Sequence, residues 1–304
     1  MTMTETVRAP AAPAAAPPPP TPGQILRRRI LGHWSLLGGL AVLGLILLLA
    51  VLAPLVSPDD PYRQDLVERL VPPVWNAEGS WAHPFGTDHL GRDYLSRLLY
   101  GARVSLLIGF AAALGSGVIG TALGICAGYF RGRVDMLVTF LVTVRLSTPV
   151  VLVALAVVAL FGGSLEVVIL VLSALLWDRF AIVMRTSTIQ ATSQDYVLAA
   201  QAVGCSVPRI VFGEILPNVL NNLIIVATLE MAHAILLEAS LSFLGLGVQP
   251  PLPSWGLMIS EAKAYMFFSF WLIAIPGTAL AVLIFAINLA GDGLRDLFSP
   301  EGRA

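Results

Sequence analysis

The amino-acid sequence predicts an all-α membrane protein with six transmembrane helices. The 304 residues are 57% hydrophobic and 12% charged, whereas an ordinary soluble domain carries roughly twice that charged fraction. Several uncharged runs reach the ~20 apolar residues that cross a bilayer. The net charge of −1 and the absence of a basic stripe give no indication of nucleic-acid binding.

The N-terminal part of the chain is predicted to change from a disordered tail to a membrane helix. Residues 1–25 are rich in proline and alanine, with Pro17 to Pro20 in a row, and form the predicted cytoplasmic tail. The first transmembrane helix is predicted within 26–57, because its uncharged run from Trp34 to Ser57 exceeds the core of a cleaved signal peptide.

An extracytoplasmic loop is predicted at 58–102. Within it, a separate amphipathic helix is expected on the outer membrane surface. This helix either braces the next span or lies at the mouth of a pathway. Its apolar face comprises Leu90, Tyr94, Leu98 and Leu99, and its polar face comprises Arg92, Asp93, Ser96 and Arg97.

Residues 103–291 are predicted to form a five-helix core, followed by a cytoplasmic tail at 292–304. Asp178 and Arg179 make the fourth of the six spans the weakest, because they leave only a short uncharged run. The five core spans are predicted at about Val104–Phe130, Met136–Phe161 with interruptions at Arg145 and Pro149, Val167–Met184, Val219–Leu237 and Phe267–Ala290.

The distribution of basic residues predicts that both termini are cytoplasmic. With the N-terminus inside, eleven arginines fall on the cytoplasmic side, and five arginines and the single lysine, Lys263, fall outside. The outer loop at 58–102 is also net acidic.

Charged residues at membrane depth are costly and usually face a cavity or a partner. Arg145, Glu230, His233 and Glu238 are therefore candidates for a polar translocation path. The alternative is that Arg145 and Glu230 form an ion pair that only joins the third and fifth helices. Both interpretations remain open at this point.

The second span carries two overlapping GxxxG patterns, formed by Gly120, Gly124 and Gly128. Small residues allow close packing between membrane helices. The face they share packs either against a partner subunit or against another helix of this chain.

The segment 186–217 is predicted to be a cytoplasmic coupling loop between the fourth and fifth spans. Tyr196–Val203 has the composition of a short helix, which Gly204 ends and after which Pro208 begins another. A short helix held between two spans, with small residues on its surface, suits docking into a groove of another protein.

This segment resembles the EAA loop of ABC-importer permeases. Ala199, Ala200, Gly204, Leu216 and Pro217 fall on the family pattern, whereas Leu198 replaces the usual glutamate and Glu214 also departs from it. The resemblance implies contact with an ATPase subunit through Tyr196, Leu198, Ala199, Ala200, Gly204, Pro208, Leu216 and Pro217.

Three further stretches resemble the C-type subunit of dipeptide/oligopeptide permeases: Gly86–Arg97, Ser242–Gly256 and Asn288–Asp296. This resemblance implies the type I ABC importer permease fold and import of di- or oligopeptides. It also implies a homologous B-type permease subunit, two ATPase subunits and an extracytoplasmic solute-binding protein as partners, with membrane lipid around them. Import of nickel, glutathione or another small solute is the main alternative.

No catalytic activity is expected of this chain. A P-loop needs a lysine between Gly and Ser or Thr, but the only lysine lies in Glu261-Ala-Lys263-Ala. ATP and Mg are therefore expected on partner subunits, with no cofactor here. No metal site is predicted from the scattered histidines, among them His83 and His89. A less favoured alternative is a secondary transporter in which Glu230, His233 and Arg145 relay protons.

Overall fold

The computed structural model of the protein describes residues 32–298. The predicted tail 1–25 and the last residues of the predicted tail 292–304 lie outside this range. Within it the regular elements are helices, apart from one isolated β-bridge. The α-helices are α1 (Trp34–Val51), α2 (Ala53–Val56), α3 (Tyr94–Phe130), α4 (Gly132–Ser147), α5 (Val150–Phe161), α6 (Leu165–Leu175), α7 (Trp177–Thr192), α8 (Asp195–Ala202), α9 (Val207–Arg209), α10 (Leu216–Phe243), α11 (Trp255–Ala262) and α12 (Trp271–Phe298).

Five helical spans in the described part are long and apolar enough to cross a membrane, and a bent pair makes a sixth. The fourth span, which the sequence made the weakest, is present as Leu165–Thr192. The third span is the broken one, since Gly132–Leu146 and Val150–Phe161 meet at 83°. Pro149 lies at this break. Proline lacks an N–H and disfavours helical geometry in the preceding residue, which explains the bend.

The prediction of a separate amphipathic helix before the second span is wrong. Helix α3 begins at Tyr94, where the side chain of Asp93 accepts a hydrogen bond from the Ser96 N–H, and continues for 37 residues without a break. Tyr94 and Arg97 are buried inside the protein rather than exposed on a membrane surface. The polar face predicted from this stretch is occupied by intramolecular ion pairs.

The GxxxG face of α3 packs against α7 of the same chain. A Cβ atom at Gly120 would lie 2.2 Å from the Trp177 carbonyl oxygen, and one at Gly124 would lie 2.6 Å from that of Ala181. The alternative of packing within this subunit is therefore confirmed. Helix α12 also continues beyond the expected boundary at 291, and Gly293 in this extension packs closely against Leu36 of α1.

The two ends of the bundle differ in what holds them. One end carries α8, and we call it the α8 end. The other carries the segment 58–93 and α11, and we call it the α11 end. At the α11 end, the irregular stretch after α10 packs on the α5–α6 turn, where the Gln249 N–H donates to the Gly163 carbonyl at 3.2 Å. Irregular backbone at a membrane is tolerated only in contact with protein or water, and α11 begins at Trp255, within the stretch Ser242–Gly256.

Candidate functional site

The short helix at the α8 end closely matches the sequence prediction. Helix α8 spans Asp195–Ala202, within one residue of the expected Tyr196–Val203. Gly204 has φ +83°, its N–H donates to the Gln201 carbonyl at 3.0 Å, and the Cys205 N–H donates to the Ala200 carbonyl at 3.0 Å. This pair of hydrogen bonds is a Schellman motif, which fixes the direction of the chain after the helix.

The chain after Gly204 re-enters the membrane through an irregular helix. Pro208 lies in the first turn of α9, as expected. A π-helical segment, Ile210–Ile215, follows and leads into Leu216 and Pro217 at the start of α10. Pro217 has no N–H to donate to the carbonyl four residues earlier, and its ring crowds that carbonyl, which explains the local widening of the helix.

Helix α8 is anchored on one face and exposed on the other. Val197 is fully buried in an apolar cluster with members from α3, α7 and α10; we call this the coupling cluster (Ile125, Met184, Ala191, Val197, Ile210, Ile215 and Val219). Tyr196, Leu198 and Ala199 are exposed, and Ala200 is half-buried. Val197 thus places α8 on an apolar cluster that three long helices share.

Leu198, which replaces the family glutamate, is 48% exposed. An exposed leucine presents apolar surface where a glutamate would present a charged hydrogen-bonding group. The substitution therefore changes the chemistry of this face without removing the residue from it.

The interpretation that Arg145 pairs with Glu230 is wrong. Arg145 Nη2 lies 3.6 Å from an oxygen of Asp178, and its Nε donates to the Leu175 carbonyl. Arg145 thus ties the third span to the junction of α6 and α7 rather than to Glu230 of α10. Asp178 is one of the two charges that made the fourth span look weak.

Glu230 pairs with Arg179 and His233. Arg179 Nη1 lies 3.1 Å from Glu230 Oε1, and His233 Nδ1 lies 3.3 Å from Oε2. The Glu230 side chain is 1% exposed, whereas that of Arg179 is 59% exposed. Glu230 is therefore buried in the protein, and Arg179 is the exposed member of the pair.

Glu238 lies apart from the other three candidates. Its Oε1 accepts hydrogen bonds from the hydroxyl groups of Ser242 at 2.8 Å and Ser254 at 2.9 Å. Ser254 is also the N-cap of α11, because its Oγ accepts from the Leu257 N–H. Glu238 thus supports the start of α11 from inside the protein.

An apolar cleft of about 830 Å³ runs between α3 and α10. None of the described residues that line it is charged, so its walls offer no ionic partner to a polar solute. Its lining includes Phe110, Leu114, Phe212, Leu220 and Met231.

A buried charge network holds the α11 end together. Asp88 lies 2.6 Å from both Arg92 and Arg97, and Glu261 of α11 lies 2.7 Å from Arg97 and 3.2 Å from Arg92. We call these four residues the outer charge network. Burial alone raises the pKa of Asp88, but the guanidinium groups of Arg97 and Arg92 and two backbone N–H groups outweigh it and lower the pKa.

The same region brings Asp88, His89 and Glu261 close enough to surround a metal ion. Both carboxylates already pair with Arg92 and Arg97, and these two positive charges disfavour a cation at the same place. Burial lowers the pKa of His89 more than the nearby acids raise it. The cluster is therefore better described as an ion-pair network than as a metal site.

His83 joins the loop at the α11 end to the start of α3. Its Nδ1 lies 2.9 Å from Asp93 and its Nε2 lies 3.0 Å from Glu68. Burial alone lowers the pKa of His83, but the hydrogen bonds with Asp93 and Glu68 outweigh it and raise the pKa above 6.5. The imidazolium form donates to both acids, whereas neutral histidine has one N–H to give.

Sequence reasoning missed Arg179 as a partner of Glu230, as well as the outer charge network. The charges of Asp178 and Arg179 inside an apolar run were a usable signal, because intramembrane charges are rarely left unpaired.

Comparisons with known proteins agree with this architecture. Residues 120–303 match the family model described as binding-protein-dependent transport system inner membrane component. Residues 21–73 match the N-terminal TM domain of oligopeptide transport permease C.

Curated relatives align with most of the chain. It is 38% identical over 263 residues to the dipeptide transport system permease protein DppC of Haemophilus influenzae, covering 86% of this chain and 89% of the relative. It is 38% identical over 292 residues to the di/tripeptide transport system permease protein DppC of Pseudomonas aeruginosa, covering 95% and 96%. The dipeptide permease DppC of Escherichia coli K12 is 39% identical over 263 residues, covering 86% and 88%.

The fold resembles a solved structure of the MetNI methionine ABC transporter in an inward-facing conformation. The TM-score is 0.55 at 18% identity, over 67% of this chain and 97% of the other. This likeness concerns the fold alone. Together with the family match and the curated relatives, it shows that the chain belongs to the binding-protein-dependent transport system inner membrane components, as an ABC importer permease subunit of the type I fold.

Proposed function

We propose that this permease is one of two membrane subunits of an ATP-driven importer of di- and oligopeptides. The relatives named as dipeptide and di/tripeptide permeases support peptides as the cargo. The proposed partners are a homologous B-type permease subunit, two ATPase subunits and an extracytoplasmic binding protein. Both termini lie in the cytoplasm in this proposal, which the arginine distribution favours.

The exposed helix α8 is the observation that carries this proposal. Its outer face presents Tyr196, Leu198 and Ala199, and its inner face is anchored by Val197 in the coupling cluster. Small and apolar exposed residues permit close approach of a second protein. The anchored face is suited to passing the movement of that protein to the membrane helices.

The proposed mechanism uses α8 as the mechanical link. Closure of the ATPase subunits around ATP displaces α8, and the coupling cluster transmits this displacement to α3, α7 and α10. The bundle opens outward to accept peptide, and hydrolysis returns it to the inward-facing state. The coupling cannot exceed the difference in ATPase-binding free energy between the two states.

ATP and Mg bind on the partner subunits in this proposal. The sequence has no lysine in a P-loop context, because Lys263 follows Glu261-Ala. In this proposal the chain itself binds neither nucleotide nor another cofactor.

Gly204→Pro tests the role of α8. Proline cannot adopt φ +83° and has no N–H for the bond to Gln201, so the end of α8 should be misdirected. The full transporter with this substitution should insert in the membrane but lose peptide uptake and retain less ATPase subunit on purification. Uptake and ATPase association that both survive in Gly204→Pro would contradict the coupling role.

Gly204→Asn is the matched control. Asparagine tolerates a left-handed conformation, and a Cβ atom at position 204 meets nothing within 4 Å. This variant should keep most of its uptake.

Two further measurements address the alternatives. Uptake that persists without ATP but collapses with the proton gradient would support a secondary transporter. Mass spectrometry of the co-purified complex would identify partners and cargo.

A further inference from the structure

Arg179 lies at membrane depth, although the count of basic residues from the sequence included it among the eleven cytoplasmic arginines. It is near the midpoint of the 28-residue span Leu165–Thr192, roughly 20 Å from either end at about 1.5 Å per residue. A guanidinium group at that depth is not stable in contact with hydrocarbon. Because 59% of its side chain is exposed in the isolated subunit, Arg179 must face a polar path or a partner in the assembled transporter.

The ion pair with Glu230 leaves the donors of Arg179 available. Nη1 lies 3.1 Å from Glu230 Oε1, yet that oxygen accepts no hydrogen bond from residues 32–298. A guanidinium group has five N–H donors, arranged to bind a carboxylate through two parallel hydrogen bonds. The buried acid therefore balances the charge of Arg179 without occupying its hydrogen-bonding face.

In the neighbouring ion pairs, too, the acid is more buried in the protein than its basic partner. Asp178 is more deeply buried than its partner Arg145, and Glu230 is more deeply buried than both Arg179 and His233. A cavity of about 200 Å³ at the α4–α5 bend is lined by Arg145, but Arg179, Glu230 and His233 are not among its lining residues. The exposed side of the group is thus basic.

We propose that Arg179 binds the carboxylate of the cargo as it crosses the membrane, with Glu230 and His233 as positioning residues. The ligand class is a solute with a free carboxylate, such as the C-terminus of a peptide. This inference rests on the proposed peptide import. The apolar cleft between α3 and α10 offers no comparable ionic partner among its described lining residues.

The test compares a dipeptide with its C-terminally amidated analogue. The complete transporter is reconstituted in liposomes with ATP inside. The binding protein is added outside, and each ligand is supplied at a concentration that saturates it. Arg179→Gln should lower the maximal uptake rate of the free acid about tenfold, the size expected for loss of one charge-assisted contact. Uptake of the amide should change less than twofold.

Arg179→Lys and Arg185→Gln sharpen this test. Lysine keeps the charge but not the two-bond geometry, so Arg179→Lys should lose less of the free-acid uptake than Arg179→Gln. Arg185 lies on the same helix and pairs with Asp135, and Arg185→Gln should affect acid and amide equally. If Arg179→Gln destabilises the transporter, Arg179→Lys provides the test. Its ratio of free-acid uptake to amide uptake should still fall below that of the unmodified transporter.

An unchanged ratio of acid to amide uptake in both Arg179 variants would overturn the inference. That outcome leaves peptide import intact, because the unmodified transporter still takes up the dipeptide. Failure of the unmodified transporter to take up any dipeptide would instead contradict the proposed function.

Discussion

The two ends of the helix bundle are stabilised in different ways. The α11 end is held by the outer charge network, in which two arginines and two acids are largely buried and form ion pairs with one another. The α8 end is held by the apolar coupling cluster, and the helix that rests on it keeps an exposed face. Buried ion pairs demand a defined geometry, whereas apolar contacts tolerate small shifts more readily.

This difference indicates a division of roles. A segment tied by several directional contacts suits a fixed platform. A short helix that rests on an apolar cluster suits movement under load. The α11 end should therefore respond to substitution mainly through stability, and the α8 end mainly through transport.

The largest expected effect is at Arg97. Arg97→Leu leaves Asp88 and Glu261 buried with Arg92 as their remaining basic partner in the network. Removing one member of a buried ion pair costs about 3–5 kcal/mol, so this variant should accumulate poorly and melt at a lower temperature in detergent. Thermal unfolding of the purified subunit measures the change.

Arg63→Leu is the matched control for Arg97→Leu. Arg63 pairs with Asp59 at 3.5 Å, but its side chain is 67% exposed. An exposed ion pair contributes about 0–1 kcal/mol, so the melting temperature should barely change. Equal decreases in melting temperature in Arg97→Leu and Arg63→Leu would contradict the distinction between a fixed platform and an ordinary surface.

A smaller effect is expected at His83. Its folded-state pKa is raised above 6.5, so its contribution to stability is complete below pH 6.5 and is lost as the pH rises through the folded-state pKa. The amides of Leu70 and Thr87, which hydrogen-bond within this loop, should show several-fold lower hydrogen-exchange protection factors at alkaline pH.

His83→Gln provides the comparison, because glutamine does not titrate. Its protection factors at Leu70 and Thr87 should not depend on pH in this range. A pH dependence that persists in His83→Gln would show that another group controls the loop.

Local signals allowed α8 to be predicted closely from the sequence. Gly204 and Pro208 act on their immediate neighbours, so the end of α8 and the start of α9 follow from residue type. Pro149 likewise marked a break in the third span. The angle of 83° at that break depends on packing against other helices, which a linear pattern does not contain.

Partners across the bundle were harder to predict. Hydropathy fixes the depth of Arg145 and Glu230 but not the direction each faces around its helix axis, and for this reason their pairing was wrong. In the outer charge network, Asp88 and Arg97 are close in sequence, whereas Glu261 is 164 positions from Arg97. Nothing local in the sequence links those two positions.

In the proposed importer, the exposed face of α8 meets the ATPase from the cytoplasm. The direct test places a single cysteine at Ala199→Cys after Cys126 and Cys205 are replaced by serine, in the complete transporter in sealed cells. We expect no labelling by an impermeant maleimide added outside, and cross-linking to the ATPase subunit when a short bifunctional reagent enters the cell. Labelling from outside, or no cross-link to an ATPase that still co-purifies, would contradict it.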